Sequence, residues 1–409
     1  MTSDHSHLPW TPVMTGLQQS EQIYLDNNST TPIADVAIET IEACWNSRLA
    51  NPASQHQTGQ VSSRILNRVR ELVLNLLDAS ATKFPADKLI WTGCGTEANN
   101  LILFGRCLDE RGRIRPGNLV ISGIEHPSVT LAAQQLQRLG VELRIAQADS
   151  NGVVSLDDLN QLVDEATLAV SVMLANNETG VIQPLQSVSK LCRDRNVFCH
   201  TDAVQAIGKI EVSFEALGVD ALTFAPHKFH GPVGIAGLLL KSDASLQPRL
   251  MGGFQQEGLR PGTENIALAA GAAAAMHWYF TDRNRHESKL RSMRNEFESL
   301  VTKAIPAALV IGKDVSRLPN TSCIAFPGVD RQEMVLAADM AGVACSTGSA
   351  CASGSSDPSP VLQNMGLSPA VIDSALRFSF GLFNSLDDAT ESARRISLAH
   401  SKLQSRSHD

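Results

Sequence analysis

Apolar positions along this chain keep two alternating rhythms. Short, nearly continuous apolar runs occupy 89–91, 118–122, 141–146, 169–174, 197–201, 221–225 and 235–240, lengths that suit buried strands. Between them, apolar residues recur every three or four positions. Val61, Ile65, Leu66, Val69, Leu72 and Leu76 predict a helix over 58–78 in this way. Further helices are expected over 33–49, from Thr96 onward, and over 127–139. A short strand at 23–26 closes on the turn-rich segment 27–32. Repeated strand-helix units with strands this apolar predict a largely parallel sheet covered by helices on both faces.

The rhythm changes near residue 264. Long helical patterns over 264–280 and 287–305 lead to a C-terminal third that mixes strands at 322–326 and 377–380 with helices at 330–341 and 385–404. A chain of 409 residues is long enough for two domains. The expected division is a loose leader over 1–22, a large domain over 33–280, and a smaller domain from 23–32 with 281–409. The stretch 346–360, rich in Ser, Gly and Pro, reads as a mobile loop.

Composition narrows the class. An apolar fraction of 43% with 19% charged residues is ordinary for a soluble globular protein, and no apolar run approaches a membrane span. The first twenty residues lack the basic and apolar regions of a signal peptide. A net charge of −8 with no compensating basic stretch argues against nucleic acid as a partner. The eight cysteines are scattered and none forms a Cys-x-x-Cys pair, so reduced thiols in a cytoplasmic protein, without a metal site, are expected.

Chemistry-bearing residues gather at the ends of the apolar runs. Lys228 follows the run 221–225, flanked by His227 and His230 and followed by a Gly-Pro turn. A lysine after a strand is commonly a solvated surface group, but between two buried strands its amine can lose solvation and form a Schiff base. Asp202 ends the run 197–201, with Gln205 three residues on. It reads either as a helix cap or as a carboxylate in the crevice where α/β sheets bind ligands. Gly95 and Thr96 end a glycine turn and open a helix, which offers either a plain cap or a phosphate site. His126 follows 118–122 and Asn177 follows 169–174, so both belong at the same sheet edge. Arg377, at a strand near the C-terminus, suits a carboxylate clamp or an ordinary salt bridge. Cys351 sits in the Ser/Gly loop, where a thiol can be exposed rather than packed as a small hydrophobe.

Taken together, these segments resemble the cysteine desulfurases of the NifS/IscS type, in the class V aminotransferase group of fold-type I pyridoxal-phosphate (PLP) enzymes. The likeness runs from 24–32 through 51–54, 95–97, Glu125-His126, 176–178, 200–202, His227-Lys228 and 260–264 to the Arg377 strand. The 348–351 loop looks like that of the longer-loop branch. The resemblance implies an α/β fold with a large, mainly parallel seven-stranded sheet domain and a smaller α/β domain. It implies that Lys228 holds PLP covalently and moves the Cα proton, that His126 stacks on the ring, and that Asp202 pairs with the pyridinium. Gln205 would hydrogen-bond the ring oxygen, and Gly95, Thr96 and His227 would line the phosphate. Thr263 would reach the phosphate of the neighbouring subunit in a homodimer. Asn177 and Arg377 would hold the carboxylate of L-cysteine, whose sulfur would pass to Cys351 and then to an acceptor or scaffold protein.

The chain departs from the family pattern at Ala225, where members usually carry Ser or Thr as a phosphate ligand, and in the run Gly252-Gly-Phe-Gln-Gln256. Selenocysteine as preferred substrate is the nearest competing reading. A catalytically weak binding protein is the more distant one, and Ala225 is the feature that favours it.

Overall fold

The side chains of successive strand residues alternate between two apolar layers. The computed structural model of the chain, which describes residues 22–80, 85–348 and 357–406, has twelve strands among those residues. They are β1 (Ile23–Tyr24), β2 (Lys88–Thr92), β3 (Asn118–Ser122), β4 (Glu142–Ala146), β5 (Thr167–Ser171), β6 (Cys199–Asp202), β7 (Ala221–Phe224), β8 (Ala236–Leu240), β9 (Leu309–Val310), β10 (Thr321–Ala325), β11 (Val343–Ala344) and β12 (Ala375–Ser379). Seven form one sheet in the order β2-β8-β7-β6-β5-β3-β4. All its neighbouring pairs are parallel except those of β8, which runs antiparallel to β2 and β7.

In β3, Leu119 and Ile121 join one buried cluster while Val120 joins the other. In β8, Leu238 and Leu240 face the first and Leu239 the second. Period-two alternation in strands that are apolar throughout therefore buries both faces. The helices Gly95–Cys107 and Pro127–Leu139 cover one face, while Leu185–Asp194 and Ile266–Thr281 pack on the other. The edge strand β4 instead exposes Glu142 and pairs Arg144 with Glu142 and Asp164, charges that discourage further strand addition.

The N-terminal strand does not join this sheet. β1 pairs in parallel with β11, and Ile23 and Leu25 pack in a third cluster with Phe297, Phe326, Phe378 and Phe380. β12, β10 and β9 make an antiparallel sheet in the same region. Residues 27–32 then cross to the edge of the large sheet, where Thr31 N donates to the carbonyl of His227 and Ala34 N to that of His230.

Two expectations are adjusted. The strand expected over 169–174 is Thr167–Ser171, and beyond it Val172 N and Leu174 N still donate to the His200 and Asp202 carbonyls of β6 at 3.2 and 2.9 Å. The two helices expected over 264–280 and 287–305 are Ile266–Thr281 and Arg283–Ala304, the second starting four residues earlier, directly after Asp282. Among the described residues, no helix is long and apolar enough to cross a membrane.

Candidate active site

The carboxyl ends of β2, β3, β5, β6 and β7 all open on one cavity of about 290 Å³. Its wall includes Gly95, Thr96, His126, Asn177, Asp202, Gln205, His227 and Lys228, positions separated by up to 133 residues in the chain. Strand ends of a parallel sheet converge in this way by topology, because each chain exit faces the same crevice.

Lys228 ends a one-turn helix, Pro226–Lys228, directly after β7. Two residues later His230 takes φ +66°, a left-handed conformation that side chains other than glycine rarely adopt. It is held there because its Nδ1 meets the Pro32 carbonyl at 2.8 Å and its Nε2 accepts from Leu382 N at 3.2 Å. The lysine is thus placed by a turn clamped between the N-terminal segment and the C-terminal third. Its Nζ donates to the backbone oxygens of Asn28 at 2.7 Å and Ser29 at 2.6 Å. Its neighbour His227 contacts Thr30 Oγ1 at 3.2 Å, and burial, aided by the charges of Lys228 and Lys209, lowers its pKa to about 4. His227 is therefore a neutral donor or acceptor at ordinary pH.

Asp202 is buried. Its Oδ2 accepts from Asn99 Nδ2 at 2.7 Å and its Oδ1 from Val204 N at 2.9 Å. Asn99 also donates to Ser128 Oγ at 2.8 Å, and Ser128 N donates to His126 Nδ1 at 3.1 Å. The imidazole is the N-cap of Pro127–Leu139, and Nδ1 as acceptor leaves its proton on Nε2. A structural cap and a cavity wall are thus the same histidine. Behind it, burial raises the pKa of Glu125 to about 8, so that this carboxyl is neutral near pH 7.

One end of the cavity suits an anion. The helix Gly95–Cys107 begins there, and its N-cap residue Cys94 makes no side-chain capping bond. Glu97 is drawn aside, accepting from Gly93 N at 2.7 Å and pairing with Arg260 at 2.8 Å. The first-turn amides of this 13-residue helix are left for a ligand, with the positive end of the helix dipole behind them. The Ala225 methyl also faces this end, 3.8 Å from where a Cβ on Gly95 would lie, and brings no hydroxyl.

Arg377 is not part of the cavity wall but lies behind two of its residues, Ser29 and Asn177, where a guanidinium suits a carboxylate. Arg377 is buried, donates from Nη1 to the Asn177 carbonyl at 3.1 Å and from Nη2 to Asp26 at 2.7 Å and Ser29 Oγ at 2.9 Å. Its Nε is a buried donor without a partner, as a carboxylate ligand requires; the side-chain Oδ1 of Asn177 is also unpartnered, and as an acceptor it would meet a carboxylate only with the amide turned over.

Sequence reasoning missed the residues that hold these parts together. Asn28 accepts Lys228 at its carbonyl and, through its side chain, donates to Thr321 Oγ1 at 2.9 Å and the Asn177 carbonyl at 3.2 Å. It therefore connects the lysine to the carboxylate end. Lys209, also buried, donates to Asn28 Oδ1 at 2.9 Å and to Gln205 Oε1. A polar pair within the turn 27–32 was the only local signal for Asn28, and Lys209 gave none.

Thr263 does not line this cavity. It borders a separate surface pocket with Trp45, Arg48 and Asn51. Cys351 lies outside the described residues. Up to Gly348 and from Asp357 the flanking chain is described, and Ser346 exchanges backbone hydrogen bonds with Arg377 at 2.6 and 3.1 Å. Among the described thiols, Cys94 borders the cavity and is exposed, whereas burial pushes those of Cys323 and Cys107 up to about 12. No group of His, Cys, Asp and Glu among the described residues is arranged to hold a metal ion.

Comparison with known proteins places this arrangement. The family described as aminotransferase class-V matches residues 23–391. The chain is 32% identical over 369 residues to a cysteine desulfurase IscS of Dictyoglomus turgidum, covering 90% of this chain and 91% of that protein. A solved NifS-like protein superposes with a TM-score of 0.84 at 30% identity, covering 93% of this chain and all of the other. SspA, solved in complex with cysteine, superposes with a TM-score of 0.75 at 25% identity over 88% of this chain and 99% of its own.

Proposed function

Because the chain belongs to the class-V aminotransferase family, whose members are PLP-dependent, we propose that it is a cysteine desulfurase, converting L-cysteine to L-alanine while a persulfide forms on Cys351. The observation that carries the reading is the single cavity in which an amine, a buried carboxylate and an uncapped helix N-terminus meet. Those groups match a phosphorylated pyridine aldehyde part by part. When bound, PLP supplies an electron-withdrawing ring that makes the substrate's Cα proton removable.

The residues of the chain do the rest. Lys228 would hold the aldehyde of the cofactor through its amine and would serve as the base that moves the Cα proton. Asp202, fixed by Asn99 and Val204 N, keeps the ring nitrogen protonated. His126, held by its cap hydrogen bonds, would pack against the ring. The amides of Gly95 and Thr96 and the neutral His227 take the phosphate. Arg377 Nε, a buried donor without a partner, would take the substrate carboxylate, and Asn177 would reach it through its amide N–H.

For the sulfur step, the thiolate of Cys351 bonds to the substrate sulfur as the bond between that sulfur and its carbon breaks. The electron pair returns to the carbon, which takes up a proton, and alanine leaves. The balance is L-cysteine plus a thiol giving L-alanine plus a persulfide. Cys351 lies five positions after Ser346, a chain length of at most ~17 Å, and the hydrogen bonds of Ser346 to Arg377 tie that segment's start to the substrate end, which supports the reading.

The finer parts of the reading are that the enzyme is a cytoplasmic homodimer and passes sulfur to an acceptor or scaffold protein. Thr263 lies outside its own cavity, and Leu250, Met251 and Phe254 expose apolar surface on the chain leading to it. Both features suit a residue that serves the neighbouring subunit. The division proposed is a large domain over 33–280 and a smaller one from 23–32 and 281–409; the cluster that joins Ile23 and Leu25 to Phe297, Phe326 and Phe378 supports it, while Ile311, Leu318, Val361 and Met365 pack in the cluster of the large sheet. Purified protein with PLP should be yellow and release alanine and, with a reductant, sulfide from L-cysteine. Lys228→Ala should lose both the colour and the activity, and an unchanged spectrum in that variant would remove Lys228 from its role.

A further inference from the structure

Lys209 lies seven residues after Asp202 and is 3% exposed. None of the chemistry above uses it, yet burying an ammonium is costly. The chain turns it inward at Gly208, which has φ +76° and packs so tightly on Phe229 that a Cβ would lie 2.1 Å from the phenylalanine's own. Both acceptors of Lys209 are amide oxygens, Asn28 Oδ1 at 2.9 Å and Gln205 Oε1. Burial first, and then the positive charges of Lys228 and Arg377, pull its pKa well below the ordinary lysine value. Its own charge in turn acts on His227 and His230.

The bonds of Gln205 decide what this lysine does. With Oε1 taken by Lys209, Gln205 donates through Nε2 to the Asn28 carbonyl at 3.0 Å. Turning the amide over would set Nε2 against the Lys209 ammonium and Oε1 against the Asn28 carbonyl, so both contacts would become repulsive. One N–H of Nε2 is then spare, on a residue that lines the cavity. We propose that Lys209 is a positioning residue that holds the Gln205 amide so that it presents N–H, rather than oxygen, to the ring oxygen of bound PLP. This rests on the PLP reading. It adds to that reading a device by which a buried cation outside the cavity wall sets the polarity of a group within it.

The test is a pH titration of the visible absorbance of the holoenzyme. A donor to the ring oxygen favours its ionised form, so losing the donor should raise the titration midpoint, by about one pH unit for a hydrogen bond to a charged group. Lys209→Met should show that rise. Lys209→Gln, whose amide nitrogen ends one bond short of both oxygens, should shift the same way if the Met variant is insoluble. Gln205→Met should shift similarly, and the double variant Lys209→Met with Gln205→Met should go no further than Gln205→Met alone. A wild-type midpoint in a soluble Lys209 variant would overturn the proposal. So would a further rise in the double variant, which would mean that the lysine acts by its charge directly. A colourless wild-type protein would overturn the PLP reading itself, and this inference with it.

Discussion

Replacing Glu125 by Gln should stabilise the protein, and increasingly so as pH rises from 5 to 8. Glu125 is 4% exposed. Its Oε1 accepts from Ser122 Oγ and, at 2.7 Å, from Met173 N, while its Oε2 has no partner. Burial is the main cause that raises its pKa from 4.5 to about 8, with the charge of Asp202 adding to it against those two hydrogen bonds. Between these values the folded state holds a proton that the unfolded state releases. Stability is therefore fully present below pH 4.5, falls by about 1.4 kcal/mol per pH unit through the window, and levels off above pH 8. The accumulated cost is roughly 3 kcal/mol at pH 7 and about 5 kcal/mol above pH 8. Gln keeps the Oε1 acceptor and cannot ionise, so the variant escapes this loss. Urea unfolding of both proteins at saturating cofactor, followed at pH 5, 6, 7 and 8, would show the gap widening with pH. A gap that stays constant over that range would refute a raised pKa at this carboxyl. The functional corollary is that a neutral Glu125 leaves Asp202 as the carboxylate that answers the ring nitrogen.

Three other substitutions probe the site. Arg377→Lys keeps a positive charge beside Asp26 but loses Nε and the planar fork; the KM for L-cysteine should rise about tenfold or more with the cofactor colour intact, and an unchanged KM would take Arg377 out of substrate binding. Ala225→Ser should tighten PLP binding by about tenfold in equilibrium dialysis, since it adds a hydroxyl at the anion end where none exists; equal or weaker binding would mean that the helix amides already satisfy the phosphate. Cys345→Ser should leave turnover unchanged, because burial raises that thiol's pKa far above its ordinary value and leaves almost no thiolate; a tenfold loss would implicate it directly.

Much of the fold is legible in the sequence because strands buried on both faces and amphipathic helices leave strong local periodicities, as at 58–78 and 236–240. The strand order is not legible. Nothing local says that β8 slots antiparallel between β2 and β7, or that β1 pairs with β11 some 320 residues away. The wall of the cavity was readable for a topological reason: residues just past the carboxyl ends of parallel strands must share one edge. What could not be read is the layer behind the wall. Lys209 looks like any solvated lysine after a glycine until burial closes over it, and Asn28 looks like a turn residue until it meets Lys228, Thr321 and Asn177. Their roles come from contacts between segments far apart in the chain, which periodicity and spacing do not encode. Arg377 shows an intermediate case: the salt-bridge reading and the substrate reading both fit, since Asp26 and the backbone take part of its guanidinium and leave Nε over.

The account stands or falls on where the sulfur goes. Holoenzyme given one equivalent of L-cysteine, alkylated and digested should yield a Cys351 peptide heavier by one sulfur atom, with an equivalent of alanine in solution. Cys351→Ser should keep the cofactor and its spectral response to cysteine but form no persulfide. Extra sulfur on Cys94 instead, or wild-type sulfide release from the Cys351→Ser protein, would contradict it.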